Sequence, residues 1–534
     1  MKRPTKIALI VLASVLAFGT VVFIGADVFV SRIAMRKVNQ ALTGLPEGQA
    51  SCGLIQVRLF SGTVGIDDIR FDFRGAPVSK RDTTKRPGVS VYVEHIEVGR
   101  IFYSMLLNKE LIVSDLHITR PRLELWLDDK HPEHCFPEIP KDTAFTFPLQ
   151  KAELFNFHLK NASLALHSVR TKLDLKVDSC SVKLHNLCYD SAFHYCDSLY
   201  AFALEHANVL LPDGMIRIEA HELEQENQGP LKLGYTRIAH TMAKNKLGDI
   251  VKEPVTWMDM QVERVETSPF NPIRKALAKD LTLEQIDVVV KQMNIFRDNC
   301  HKPKHPFQMP QQFLTQLPVE FSVGQANAQI RGIHIDLATT KTNVGQLDLK
   351  NIQANIHNIT NHRDAIMQGS GSCPLGEGKA NASFEMRMDK QCGFALHLNA
   401  KDANVSLLNS LIRPLVGMTA DCMIDELDTE YSGDKVQASG TFQMLYHGLQ
   451  VQVYQEDDIP YKIITRNAKT FTTLGNSLIP KSNPSAVDVF PRAYQVTWKR
   501  DEWKAVPLYL FGPCIDGVKK TFLPGLYVHL QTKI

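Results

Sequence analysis

Three short patterns in this chain carry residue types that could do chemistry, and each lacks a necessary member. His221-Glu222 opens like the H-E-x-x-H of zinc proteases, where two histidines hold the metal and the glutamate activates water. The fifth position is Gln225, so the second ligand is missing. Gly378-Lys379 is like the end of a phosphate-cradling P-loop, but Ala380 stands where Ser or Thr must meet magnesium. Cys373 occupies the place of the first glycine. Cys300, His301 and His305 are near neighbours that could offer metal ligands, yet Pro303 and Pro306 flank them, and an exposed polar loop is the simpler reading. No G-x-S-x-G nucleophile elbow occurs. No catalytic residue, metal site, cofactor or enzymatic activity is expected.

The ten cysteines include no C-x-x-C pair, so neither a zinc ribbon nor a thioredoxin-like site is indicated. Cys180, Cys188 and Cys196 are evenly spaced along strand-like sequence, and burial as small apolar residues accounts for them. Disulfides stay open if the chain is extracytoplasmic, with pairing undetermined. A net charge of +3 argues against an electrostatic nucleic-acid binder. With 44% hydrophobic and 22% charged residues, the 534-residue chain has a folded composition.

An apolar run from Ile7 to Ala26 precedes everything else. Its length suits a helix across a bilayer core of about 30 Å. It is long for a signal-peptide core and no small-x-small cleavage site follows, so an anchor is expected over a removed signal. Ile7, Leu12, Leu16, Phe18, Val22 and Phe23 are its anchoring residues. Lys2, Arg3 and Lys6 lie before the run and Arg32, Arg36 and Lys37 after it, so charge leaves the orientation undecided.

Downstream, apolar residues alternate with polar ones. Val89, Val91 and Val93 share a face, as do Leu123, Leu125 and Leu127, then Phe155, Phe157 and Leu159. Phe384, Met386 and Met388 follow the same rule, as do Phe394, Leu396 and Leu398. The spacing repeatedly jumps from two to three: Ile66 to Ile69, Val93 to Ile96, Val113 to Leu116, Leu154 to Phe157, Leu184 to Leu187, Leu349 to Ile352 and Ile424 to Leu427. A jump of three sends side chains to the other face unless a bulge absorbs an extra residue. Each jump could equally be a turn between two short strands. Their recurrence favours a mainly β fold with a few helices, whose sheet is elongated, curved and repetitive, open as a groove or folded like a taco.

Three regions interrupt the alternation. Asn271-Pro272 reads as a cap before a helix over Ile273 to Ala278, and Pro303 to Pro318 as an extended connector. Leu407, Leu408, Leu411, Ile412 and Leu415 predict a short amphipathic helix over 405–416. From about Glu456 regular alternation is lost.

The stretch ALTGLPEGQASCGLIQVRLFSGTVGIDDIRFDF, Ala41 to Phe73, resembles the start of AsmA-like bacterial envelope proteins. VYVEHIEVGRIFYSMLLNKELIVSDLHITRPRLELWLDD, Val91 to Asp129, is similar to that family's succession of strand, short helix and strand, with ITRPRLEL over Ile118 to Leu125. Asn404 to Val453 and the phrase IPKSNP, Ile479 to Pro484, resemble its carboxy-terminal region. Relatives often close on an amphipathic helix; here Pro507 and Gly512-Pro513 would break one before Val518-Lys519-Lys520.

The resemblance implies a cytoplasmic tail over 1–6, a transmembrane helix over 7–30 and an AsmA-like amino-terminal region over 31–130. A β-rich middle over 131–229 and a mixed segment with the proline-rich connector over 230–318 follow. An AsmA-like carboxy-terminal region spans 319–455 and a tail 456–534. It also implies an inner-membrane protein with its bulk in the periplasm, acting in outer-envelope biogenesis. Its partners would be membrane lipids, phospholipid above all, with envelope proteins possible and no nucleic acid. Apolar stripes can be the buried side of a sandwich. Helix-forming sequence is too scarce to cover a long sheet, so a lipid groove is expected, with a protein-contact scaffold as the alternative. Groove candidates are Val91, Val93, Leu123, Leu125, Phe155, Phe157, Leu347, Leu349, Met386 and Leu396.

Replacing Leu12 with Arg should raise the cost of insertion by about 3 kcal/mol. Cell fractionation should then show the protein lost from membranes; retention in the membrane pellet would remove the anchor.

Overall fold

A computed structural model of the chain describes residues 26–37, 48–78, 85–102, 110–128, 130–131, 134, 151–190, 200–272, 275, 281–317, 320–340, 342–455, 467–486, 490–524 and 530–531. Two compact units divide it, Met1–Leu233 and Gly234–Ile534. The anchor residues Ile7, Leu12, Leu16, Phe18, Val22 and Phe23 lie outside the described residues. Among the described residues no helix is long and apolar enough to cross a membrane.

The first unit holds a helix over 26–37 and strands β1 (Gly48–Ser51), β2 (Ile55–Arg58), β3 (Thr63–Arg74), β4 (Gly88–Ile101), β5 (Glu110–Leu127), β6 (Lys151–Ser168), β7 (Asp174–Asp190), β8 (Tyr200–Leu210), β9 (Ile216–Glu226) and β10 (Lys232–Leu233). β1 and β2 both pair with β3, and from there the strands follow chain order. Every pair is antiparallel except β5 with β6, which runs parallel. A parallel pair cannot be tied by a hairpin. Here Asp128, directly after β5 and 2% exposed, accepts from Arg170, directly after β6, through Nε and, at 2.8 Å, Nη2. The Arg170 hydrogen bonds pull the Asp128 carboxyl down to about 2.

The jumps of three fall inside continuous strands, not at turns. Asp67 faces His95 and Ile69 faces Val93, so the register is unbroken across the jump and no extra residue is absorbed. Asp68, between them, is left-handed at φ 50°. Asp68 is level with Glu94 and Glu94 with Arg120, where φ is 47°; beside Arg120 on β6 lies Asn161 at 52°. Ser179 at 53° and Glu222 at 57° continue the line through β7 and β9. A second line runs through Arg100 and Asn186, at 32° and 58°. Bulges with a register shift do occur, at Ala162, Val262 and near Ile424. The expected bulge is therefore a minority device; most jumps are creases that successive strands share.

The second unit carries β11 (Thr236–His240), β12 (Val255–Thr267), β13 (Leu281–Asp298), β14 (Phe321–Ala338), β15 (Val344–Thr360), β16 (Ile366–Leu375), β17 (Gly378–Arg387), β18 (Phe394–Asn404), β19 (Met418–Gly433), β20 (Gln437–Val453), β21 (Arg492–Lys499) and β22 (Leu530–Gln531). They too pair in chain order, antiparallel except for β13 with β14. Asn351, Asn358 and Asp402 are its left-handed strand residues.

Over β17 to β21 this sheet acquires a second layer. Phe442, Tyr494 and Val496 are fully buried, and Val518 and Phe522 of the helix Gly512–Phe522 pack on the cluster that holds Phe442 and Val496. Pro507 and Pro513 do not break helices; each sits in a first turn, of Val506–Leu510 and of Gly512–Phe522, where no backbone donor is needed. The proline-rich connector is not simply extended either. It holds the helix Pro310–Thr315, and Met309 and Gln311 are 1% exposed in the core. The helix over 405–416 forms, as a 3-10 turn Val405–Leu408 and an α-helix Asn409–Val416 closed by left-handed Gly417. Of the helix expected over Ile273 to Ala278, the described part is helical at Pro272 and Lys275, whose N–H donates to Asn271 O; the rest lies outside the described residues. Within IPKSNP, buried Asn483 donates to Met444 O at 2.7 Å and accepts from Arg492 N at 2.8 Å, binding the phrase to β20 and β21.

A crease held by a left-handed residue should tolerate glycine and resist branching. Asn351→Gly should leave stability nearly unchanged, and Asn351→Val should cost about 1–2 kcal/mol. Deleting Asn351 should cost more, since Ile352 would lose its place opposite Ile330. Urea denaturation measures all three; equal stability of the Val and Gly variants would mean the crease is not required.

Candidate functional site

Matched creases align the apolar residues of successive strands into rows. Val64, Val98, Leu116, Phe157, Leu184 and Tyr200 are consecutive register partners. So are Ile66, Ile96, Ile118, Leu159, Val182 and Phe202. Beyond the first crease Phe71, Val91, Leu123, Leu164 and Val177 form a third row, and Phe73, Val89, Leu125, Leu166 and Leu175 a fourth. Polar rows lie between them, such as Asp72, Ser90 and Glu124, or Arg70, Tyr92 and Arg122. In the second unit Met260, Met293, Ile333 and Leu349 make one apolar row, and Val262, Val290, Ile330 and Ile352 the next.

Cover separates these rows into two kinds. Among the described residues no helix makes an extensive contact with β5 to β9. Leu123 is 39% exposed and Val91, Leu125 and Phe157 are half-buried. At one edge the helix over 26–37 lies against β2: Ser31 Oγ accepts from Val57 N at 2.8 Å and Asp27 from Leu59 N at 2.9 Å. Val93 is 7% exposed and reads as wall, not open surface. Phe155 stands on the second crease, between Leu154 and Asn156 and level with left-handed Asn186, and is 40% exposed. Leu347 and Leu349 are half-buried on β15, where the helix Asn409–Val416 approaches closely: a Cβ on Gly345 would come within 2.7 Å of Leu411 O. Met386 and Leu396 are different. Both pack on the closed cluster of Phe394, Tyr431 and Tyr509, where burial alone explains an apolar residue. Sequence alternation is the same for Leu123 and Leu396, so it could not separate them.

The patterns with chemical potential have structural roles. Gln225 is 4% exposed and its amide donates to Gly229 O at 2.8 Å. Gly378 lies so near Lys401 O and Asp402 O that no Cβ would fit, which accounts for the glycine of the false P-loop. His301 stands 3.5 Å from Asp249 on the helix Lys244–Val251, and Cys300 N donates to Asp298 at 2.8 Å. Burial pushes the Cys422 and Cys514 thiols up to about 11, which keeps them protonated at neutral pH and poor nucleophiles. Cys188 is disulfide-bonded, a state the spacing left open. On the polar side the His117 and His158 rings lie 4.7 Å apart, and burial followed by the neighbouring His117 and Lys160 lowers the His158 pKa. No protein-family profile matches this chain, and no characterised protein matches its sequence significantly.

Open and closed rows should respond differently to a buried charge. Leu123→Asp should leave the thermal midpoint within a few degrees of the parent. Leu396→Asp should cost about 3 kcal/mol, because its carboxylate enters a packed core. Equal destabilisation would mean that the Leu123 row is covered.

Proposed function

We propose that this chain is an AsmA-like protein of outer-envelope biogenesis that binds phospholipid acyl chains and passes them along an apolar β-groove, without enzymatic chemistry. The apolar run from Ile7 to Ala26 holds it at the inner membrane, with its tail in the cytoplasm and its bulk in the periplasm. One observation carries the reading: ordered rows of large apolar side chains on β5 to β9 that no helix among the described residues covers. Burying one such Leu or Phe is worth about 1.5–3 kcal/mol, so these rows favour an apolar occupant. A left-handed residue in each of several neighbouring strands at one level would let rows on either side of a crease share one face. Acyl chains fit because they need no directional partner and can slide past a surface of methyl and ring groups. The Cys188 disulfide supports an oxidising compartment.

A photo-crosslinking residue at Leu123 or Leu349 should capture phospholipid in cells, and one at Glu124 or Lys350, which project to the other side, should not. Capture of protein, with no lipid at either apolar position, would replace the groove with an envelope scaffold that acts through protein contacts.

A further inference from the structure

A cleft of about 550 Å³ opens on the polar rows of β6 to β10. Two register lines cross it. In one, His158, Lys183, Ala201 and Glu226 are consecutive partners; in the other, Ser181, Ala203, Glu224 and Lys232. The cations of β6 and β7, with Lys160 beside His158, form one wall. The carboxylates Glu224 and Glu226 of β9 form the other, with Lys232 of β10 opposite Glu224. Between them β8 contributes Ala201, Phe202 and Ala203. Ala201 and Ala203 are the ones in line with the charged residues, so no long side chain stands between the two walls. Lys183 and Glu226 stand two strand spacings apart, about 9.6 Å between their backbones. Neither they nor Lys160 and Glu224 form an ion pair among the described residues. Opposite charges held apart across an empty floor are complementary to one molecule that carries both signs. Two lysines converging on one edge suit a phosphoryl group, whose oxygens can accept from both and which carries one charge as a diester and close to two as a monoester.

We propose that this cleft binds a phosphoryl–ammonium zwitterion of the phosphoethanolamine type, its phosphate against Lys160 and Lys183 and its ammonium against Glu226 and Glu224. Leu159 and Phe202 of the second apolar row also line the cleft, but the proposed contacts are with charged side chains and do not rest on the apolar-groove reading. Either can fail without the other. The zwitterion could be a free metabolite or a lipid headgroup, which share this chemistry.

Calorimetric titration of the full chain in nonionic detergent with O-phosphoethanolamine should give saturable binding. Lys183→Ala should weaken it at least tenfold and should weaken inorganic phosphate as well. Glu226→Gln should weaken O-phosphoethanolamine about tenfold while leaving inorganic phosphate unchanged or tighter. Ala203→Trp fills the floor from an exposed position without changing charge, and should abolish binding with the circular dichroism spectrum retained. Vesicles of phosphatidylethanolamine that compete with the free compound, where phosphatidylglycerol vesicles do not, would assign the headgroup as the source; no competition would assign the soluble compound. Absence of saturable binding, or Glu226→Gln weakening both ligands alike, would overturn the proposal.

Discussion

Backbone hydrogen bonding between neighbours governs this protein more than any single side chain. A strand that bends alone would leave N–H and C=O groups unpaired along its ladder, at the price of roughly a hydrogen bond each. The bends are therefore shared. Asp68, Arg120 and Asn161 are left-handed at one level of the first sheet, with Glu94 between the first two, and the register on either side is kept. Because neighbours bend together, Ile66, Ile96, Ile118 and Leu159 remain opposite one another, and isolated apolar residues become rows.

Whether a row is core or surface then depends on what lies over it. At β20 and β21 the helix Gly512–Phe522 completes a sandwich of two layers, and Phe442 and Val496 lose all contact with water. Gly517 permits that approach, since a Cβ there would meet the Phe442 ring. Around Leu123 the same kind of row has no such partner among the described residues. The fold thus combines a closed region that supplies stability with rows that keep part of their apolar area exposed.

Polar groups follow the same logic of position. Asp128 and Arg170 join the ends of a parallel pair that no hairpin could join. Asn483 satisfies backbone groups of two separate strands from a segment with no regular structure of its own. These contacts hold elements in place; Lys160, Lys183, Glu224 and Glu226 form no ion pair among the described residues, which is what sets their cleft apart.

By itself the sequence determined the strands, their period and the places where the period slips, because alternation is a local property. It also determined the short helix over 405–416, whose apolar residues repeat at helical spacing. It could not tell a shared crease from a bulge or a turn, since that depends on the partner strand. The parallel joins of β5 with β6 and of β13 with β14 were equally out of reach, as was the covering of Leu396 and not of Leu123. Pro507 and Pro513 show the same limit: a proline breaks or begins a helix according to where the chain starts to coil. Alternation says only that one face is apolar. What covers that face arrives from residues a hundred positions away, and only the tertiary structure brings them there.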